Sequence, residues 1–211
     1  MHILPVSHRG FWLQRKERNT ERAFRRSLAE GLGIETDIRD RDGRVVIAHD
    51  IDELPSMSFA AFLDTYAEYP GRPPLAINVK SDGLQDVVAY EVNKRNITNY
   101  FMFDMSVPDL LGYRKRGLRY FTRMSEYEPE GVLLSEAAGV WLDQFDGDWV
   151  TGETISQLQQ AGKQVCIVSP ELHGRRVENA WACYREAAGG ATGLDIILCT
   201  DFPTRARDYF G

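Results

Sequence analysis

Cysteine is scarce in this 211-residue chain: only Cys166, Cys183 and Cys199 occur, widely spaced, odd in number and set in apolar contexts. That excludes a disulfide framework and a zinc-ribbon pattern, and the three read as small core residues in a reducing compartment. Long apolar runs are missing too; none approaches the roughly 18 residues of a membrane span. Met1–Val6 is too short for a signal peptide and is interrupted by Pro5. No long basic run appears, and 25 basic against 31 acidic residues leave a formal charge of −6. Nucleic acid as an obligate partner needs a clustered positive surface and is therefore not expected, although a local positive pocket for one phosphate is compatible with this balance. There is no Gly-x-Gly-x-x-Gly run behind a strand to bind a dinucleotide. Four histidines without a His-x-His pair give no support to a zinc amidohydrolase. Repeats, linkers and low-complexity segments are absent. With 43% hydrophobic and 27% charged residues, one soluble, cytoplasmic domain over 1–211 is expected.

What is present is an alternation of short apolar runs with segments of helical period. Strands are predicted at Ile3–Val6, Ile34–Ile38, Leu75–Val79, Tyr100–Phe103, Arg119–Phe121, Val140–Leu142, Val165–Val168 and Ile196–Leu198. Asp40-Arg41-Asp42-Gly43 signals a hairpin returning through Val45–Ala48, and a turn is expected near Pro55. Thr20 caps a helix whose Ala23, Phe24, Ser27, Leu28 and Leu32 share a face, ended by Gly31 and Gly33. Further helices are expected around Phe59–Tyr66, Leu84–Lys94, Leu110–Tyr113 (stopping at Gly117), Glu153–Ala161 and Val177–Ala187, with a loop at Gly189-Gly190-Ala191 and a short helix after Pro203. Eight strands, most followed by a helix, imply a parallel sheet, and eight units favour a closed (β/α)8 TIM barrel with a small hairpin arm over an open doubly wound sheet.

In such a barrel functional residues collect where strands end. His8 and Arg9 follow the first strand; Glu35 and Asp37 alternate on the second and point the same way. His49 ends the hairpin's return strand, and Asn78 and Lys80 alternate on the third. Carboxylate and amide oxygens suit one hard divalent cation, Mg²⁺ or Ca²⁺ with Mn²⁺ as a further option. Histidine carries protons near neutral pH, and arginine and lysine fit a phosphate. Together these residue types point to cleavage of a phosphodiester, one histidine deprotonating the attacking hydroxyl and the other protonating the leaving alkoxide. Asp104, Arg123, Asp143 and His173 follow later strands and are candidate substrate contacts, with Glu126 and Glu171 as further polar residues after strands; Trp12, Phe103 and Trp141 offer an apolar or sugar-stacking wall, Trp141 as a candidate substrate contact.

His8-Arg9-Gly10, Asn19-Thr20 before Ala23-Phe24, Ile34-Glu35-Thr36-Asp37, Asp42-Gly43 and His49-Asp50 resemble the opening motifs of the glycerophosphodiester phosphodiesterase family, and Asp195-Ile196-Ile197 with Thr200-Asp201 and Pro203 resembles its closing strand. The resemblance covers about the first quarter of the chain and these last residues. It implies a β/α barrel, one divalent cation, and hydrolysis of a phosphodiester attached to a polyol such as glycerol. It also implies that His8 and His49 are the acid/base pair, that Glu35 and Asp37 are metal ligands, and that Arg9 and Lys80 hold the phosphate. Two departures stand out. The family's third-strand Glu-x-Lys is here Asn78-Val79-Lys80, which removes one negative charge, with Asp143 or Glu171 as candidate compensation. The inserted subdomain usual after the His-Asp pair is replaced by the short stretch Ile51–Ser58, so a more open mouth and a bulkier substrate are expected, either a glycerophosphodiester-like small molecule or a glycan-linked phosphodiester.

Blander readings exist for each residue. On those readings the histidines are satisfied by backbone, and Glu35 and Asp37 are paired with Arg39 or Arg41. Arg15-Lys16 with Arg18, and Arg22 with Arg25-Arg26, read as solvated loop and helix faces rather than an anionic-polymer groove. Phe59, Phe62 and Tyr66 read as core. Two other functions compete: a phospholipase of C or D type, with Phe11-Trp12 as its exposed apolar rim, and a non-catalytic barrel that binds a phosphorylated or glycan ligand. The sequence leaves the oligomeric state open.

Overall fold

Residues 2–51, 54, 57–190 and 195–211 are described by the structure, a computed structural model. Its residues fall into two compact units, Ser7–Tyr120 and Met1–Val6 with Phe121–Gly211.

In the Ser7–Tyr120 unit, strand β2 (Gly33–Arg41) pairs antiparallel with β3 (Arg44–Ile47) and parallel with β4 (Leu75–Val79), which pairs parallel with β5 (Tyr100–Phe103). Asp42 and Gly43 both have positive φ, 50° and 74°. That is the two-residue turn the Asp-Gly pair predicts, because its twist matches that of the flanking strands. The register sets Glu35 opposite Ala76 and Asp37 opposite Asn78.

Helix α1 (Glu21–Ala29) is capped by the Thr20 hydroxyl, which accepts from the Ala23 N–H, and it buries Ala23, Phe24, Ser27 and Leu28, the face read from the sequence. Helix α2 (Phe59–Ala67), capped by Ser58, buries Phe59, Phe62 and Tyr66 as core; the Phe24 and Phe62 rings meet at 4.6 Å. Helices α3 (Gln85–Lys94) and α4 (Val107–Lys115) complete the unit. Leu110 and Tyr113 are buried, whereas Leu111 on the same helix is exposed.

In the other unit, strands β6 (Phe121–Met124), β7 (Gly139–Leu142), β8 (Gln164–Val168) and β9 (Ile196–Thr200) pair in parallel in that order. Beside β9 lies β1 (Ile3–Ser7), whose last residue belongs to the first unit. Val140 and Leu142, Val165 and Ile167, and Ile196 and Leu198 alternate onto one face. They bury there with Ile155, Trp181 and Tyr184 from helices α5 (Gly152–Gln160) and α6 (Glu178–Gly190). Helix α7 (Pro203–Phe210) closes the end, its Tyr209 and Phe210 rings 5.6 and 5.4 Å from Trp181.

Two expectations are corrected. Gly189 and Gly190 form the last residues of α6 rather than a loop, since glycine is tolerated in a helix's final turn; Ala191 lies outside the described residues, as does the turn near Pro55. The strand read at Arg119–Phe121 begins at Phe121, because Tyr120 makes only an isolated bridge with Met102, whose N–H donates to the Arg119 carbonyl. Cys166, Cys183 and Cys199 are free thiols, the first and last buried. Among the described residues no helix is long and apolar enough to cross a membrane.

Candidate functional site

The chain reverses sharply after β1. The Gly10 N–H bonds back to the Ser7 carbonyl (3.1 Å), with Arg9 and Gly10 both at positive φ, 57° and 81°. Glycine is required at the second position: a Cβ there would lie 2.9 Å from that of Ala23. The reversal aims the Arg9 main-chain N–H at Glu35 Oε2 (3.0 Å) and its guanidinium Nε at Asp37 Oδ2 (3.2 Å).

Three strands then converge on Asp37. The Ala48 N–H donates to the Asp37 carbonyl (3.2 Å) and fixes the start of the segment carrying His49, while the Lys80 N–H donates to the Ile38 carbonyl (2.9 Å) at the end of β4. Lys80 Nζ lies 3.7 Å from Asp37 Oδ1 and 3.8 Å from Asp104 Oδ2. Arg9, Glu35, Asp37, Asn78, Lys80 and Asp104 are thus brought together within one unit, with His8 acting on the Glu35 charge; His49 does not end the return strand as expected, because β3 stops at Ile47 and His49 sits in the bend that follows.

Glu35 and Asp37 are 2% and 1% exposed. Two carboxylates removed from water strongly disfavour ionisation unless compensated. The imbalance appears at Glu35, whose pKa is pushed up to about 7, first by burial and then by the Asp37 charge, against the opposing influence of His8 and Arg9. Asp37 is stabilised differently. Its Oδ2 accepts from Asn19 Nδ2 (2.9 Å), and Asn19 Oδ1 in turn accepts from Thr36 Oγ1 (3.0 Å). Asn19 is buried at φ 56°, a left-handed position that asparagine tolerates better than most residues. In the sequence Asn19 stands out only as part of a motif. The signal that marks it is its place directly before the Thr20 cap, where a turn residue is needed.

With Oδ2 saturated, Asp37 Oδ1 and the neighbouring Asn78 Oδ1 remain as buried oxygens without a hydrogen-bond partner. Arg39 and Arg41 do not compete for these carboxylates: Arg39 donates to the Lys80 carbonyl and Arg41 to that of Ile51. His49 Nδ1 lies 2.8 Å from Asp50 Oδ1, and that contact holds the Asp50 pKa below the usual carboxylate range. Among the described residues no three or more of His, Cys, Asp and Glu are grouped to hold a metal.

Arg123, Trp141, Asp143 and His173 belong to the other unit. There Asp143 Oδ1 sits 2.6 Å from His173 Nε2 and accepts from the Gln144 N–H, and Phe145 packs on the imidazole at 4.8 Å. Arg123 donates to Glu128, and Trp141 is buried on β7. Glu171 has both oxygens engaged, one by Thr200 Oγ1 and the Asp201 N–H and the other by Ser169 Oγ. In the sequence Glu126 stands out only for following a strand. Its carboxylate accepts from three consecutive N–H groups, Phe145, Asp146 and Gly147, and so ties down the loop after β7.

No family model and no curated protein matches the sequence. Solved structures do. A candidate glycerophosphodiester phosphodiesterase from Galdieria sulphuraria matches with a TM-score of 0.78 at 16% identity, over 98% of this chain and 97% of that one. A glycerophosphodiester phosphodiesterase from Agrobacterium tumefaciens matches at 0.68 and 19% identity over 99% and 98%. A glycerophosphoryl diester phosphodiesterase from Parabacteroides distasonis matches at 0.69 and 13% identity over 99% and 86%. Identity at this level shows the fold: the chain has the (β/α)8 barrel fold expected from its strand–helix alternation, and shares it with glycerophosphodiester phosphodiesterases.

Proposed function

We propose that this chain is a metal-dependent phosphodiester hydrolase acting on a glycerophosphodiester-like or glycan-linked small-molecule diester. The reading rests above all on Asp37 Oδ1 and Asn78 Oδ1, buried oxygens at paired strand positions that lack a hydrogen-bond partner, with Glu35 two residues earlier on β2 and the cations Arg9 and Lys80 beside Asp37. The near-complete coverage of the three phosphodiesterases and of this chain supports it, and supports treating 1–211 as one catalytic domain.

Glu35, Asp37 and Asn78 offer hard oxygen donors and no thiolate or imidazole, a set that fits Mg²⁺ or Ca²⁺, with Mn²⁺ as a substitute. A cation held there supplies positive charge to the phosphate's non-bridging oxygens. Arg9 and Lys80 supply the remainder, the guanidinium by a forked contact. Both cations are already held near Asp37, so they need little reorganisation to meet a phosphate. Asp50 beside Nδ1 orients the His49 ring, which directs Nε2 to proton transfer. His8 is the second proton carrier, one histidine taking the proton of the attacking hydroxyl and the other returning one to the leaving alkoxide. Asn19 keeps the Asp37 carboxylate from rotating.

Hydrolysis of bis(p-nitrophenyl) phosphate in the presence of divalent cation is the test. His8→Ala and His49→Ala should each lower kcat by about 10²–10⁴-fold. Equal rates in wild type and both variants would remove the catalytic reading.

A further inference from the structure

We propose that the tip of the loop between β1 and α1, Leu13 to Lys16, docks the protein onto an anionic lipid bilayer surface. The charge distribution is the first support. Seven of the chain's 25 basic residues fall between Arg9 and Arg26, opposed there only by Glu17 and Glu21, in a protein whose net charge is −6. Glu17, the one acid in the loop itself, is turned inward. Its Oε2 accepts from the Leu13 N–H (2.9 Å) and lies 3.1 Å from Arg26 Nη1, while Oε1 lies 3.5 Å from Arg22 Nη1. The outer face is left to Arg15, Lys16 and Arg22, all exposed. Juxtaposed cations of this kind are attracted to anionic headgroups and lose that attraction in salt.

The second support is apolar. Leu13 is 65% exposed at the tip, and Ile51 and Leu54, in the loop that follows His49, are 81% and 86% exposed. One exposed leucine means little. Leu13 follows His8 by five residues, Ile51 and Leu54 follow His49 by two and five, and Trp12, whose amphipathic ring is of the kind that settles at headgroup depth, lies next to Leu13 in the chain.

The third is rigidity. The Phe11 N–H bonds to the Ala23 carbonyl and to Ser27 Oγ, the Phe11 carbonyl accepts from Arg26, and the Arg18 guanidinium lies 4.5 Å over the Trp12 ring. Trp12 Nε1 donates to the His8 carbonyl (3.1 Å), so the tip and the candidate catalytic histidine are mechanically one piece. A tip ordered beforehand binds without a large entropy cost. Aliphatic side chains for the interface and cations without a facing groove fit a bilayer better than a protein partner. Docking there would turn the His8–Arg9 end of the site to the membrane, favouring a phosphodiester borne on a lipid; that consequence, unlike the docking itself, rests on the hydrolase reading above.

The test is vesicle flotation with the full chain, which is read without turnover and so stands or falls separately from hydrolysis. The protein should float with vesicles of phosphatidylcholine plus phosphatidylglycerol, not with phosphatidylcholine alone, and should be released by high salt. The triple variant Leu13→Ser, Arg15→Glu, Lys16→Glu should bind at least about tenfold more weakly, while keeping its thermal midpoint and its rate on a soluble diester. The variant Arg114→Glu, Lys115→Glu on α4 should bind as wild type. Absence of binding to anionic vesicles, equal binding to both compositions, or equal binding by wild type and the triple variant would each overturn the proposal.

Discussion

Asp37 and Asn78 lie opposite one another in the β2–β4 register, and each carries a buried Oδ1 without a hydrogen-bond partner. An orphaned buried acceptor ordinarily costs about 1–3 kcal/mol. Within the chain Asp37 Oδ1 has only the Lys80 ammonium at 3.7 Å, beyond hydrogen-bond distance, so both acceptors keep ligating capacity for a group such as the proposed cation.

Changing Asn78 to Glu tests that partnership. The added carboxylate brings a third negative charge into a buried place, so the metal-free variant should lose roughly 1–3 kcal/mol of stability. In divalent cation the order should reverse, with binding roughly tenfold tighter than wild type as ligand charge rises. Titration calorimetry with Mg²⁺ and Ca²⁺, paired with thermal unfolding in chelator and in metal, reads both effects; unchanged affinity in the variant would count against a cation at this position.

Glu35 predicts a pH dependence of definite sign. Its carboxyl is raised from an ordinary 4.5 to about 7 by burial and by Asp37. Between those values the folded chain keeps a proton that the unfolded chain has released. The contribution of Glu35 to stability is therefore fully present below about 4.5 and is lost as pH rises through about 7. Glu35→Gln should flatten that slope. Saturating divalent cation should oppose it, because the metal takes the ionised form. Urea unfolding of metal-free protein over this range checks the prediction; identical slopes for wild type and Glu35→Gln would refute it.

Asn19 holds Asp37 and accepts from Thr36 while sitting in the left-handed region. Asn19→Ala should cost roughly 2–4 kcal/mol, from the lost hydrogen bonds together with a strained backbone. Asn19→Gly relieves the backbone and should cost less. If the two variants are equally stable by denaturant midpoint, backbone strain plays no part, and if neither is destabilised, the Asn19 bonds are not holding the site.

Local signals carried much of this molecule into view from its sequence. Asp42-Gly43 specifies its turn because only such residues accept two successive positive φ angles, and Thr20 specifies its helix start because one hydroxyl satisfies a free N–H. The limits of β4 and β5 follow from apolar runs of fitting length. The site was legible where residues share a strand, as Glu35 and Asp37 do. It was illegible where a role arises from contacts distant in sequence. Nothing in Asn19 itself says that it reaches Asp37, nor in Glu126 that it gathers three N–H groups 19 to 21 residues onward. Asp143 and His173 were each marked, but their pairing across 30 residues was not. Gly189-Gly190 misled because glycine is ambiguous between a loop and a helix's last turn.

The most direct test of the central claim is to strip the protein of metal, titrate divalent cations back, and follow hydrolysis of a soluble phosphodiester in wild type and Glu35→Gln. A saturable return of activity in wild type, with much weaker cation dependence of binding and rate in the variant, is the expected result. Full activity in the metal-stripped wild type, or the same cation affinity in both proteins, would contradict a hydrolytic centre built on Glu35, Asp37 and Asn78.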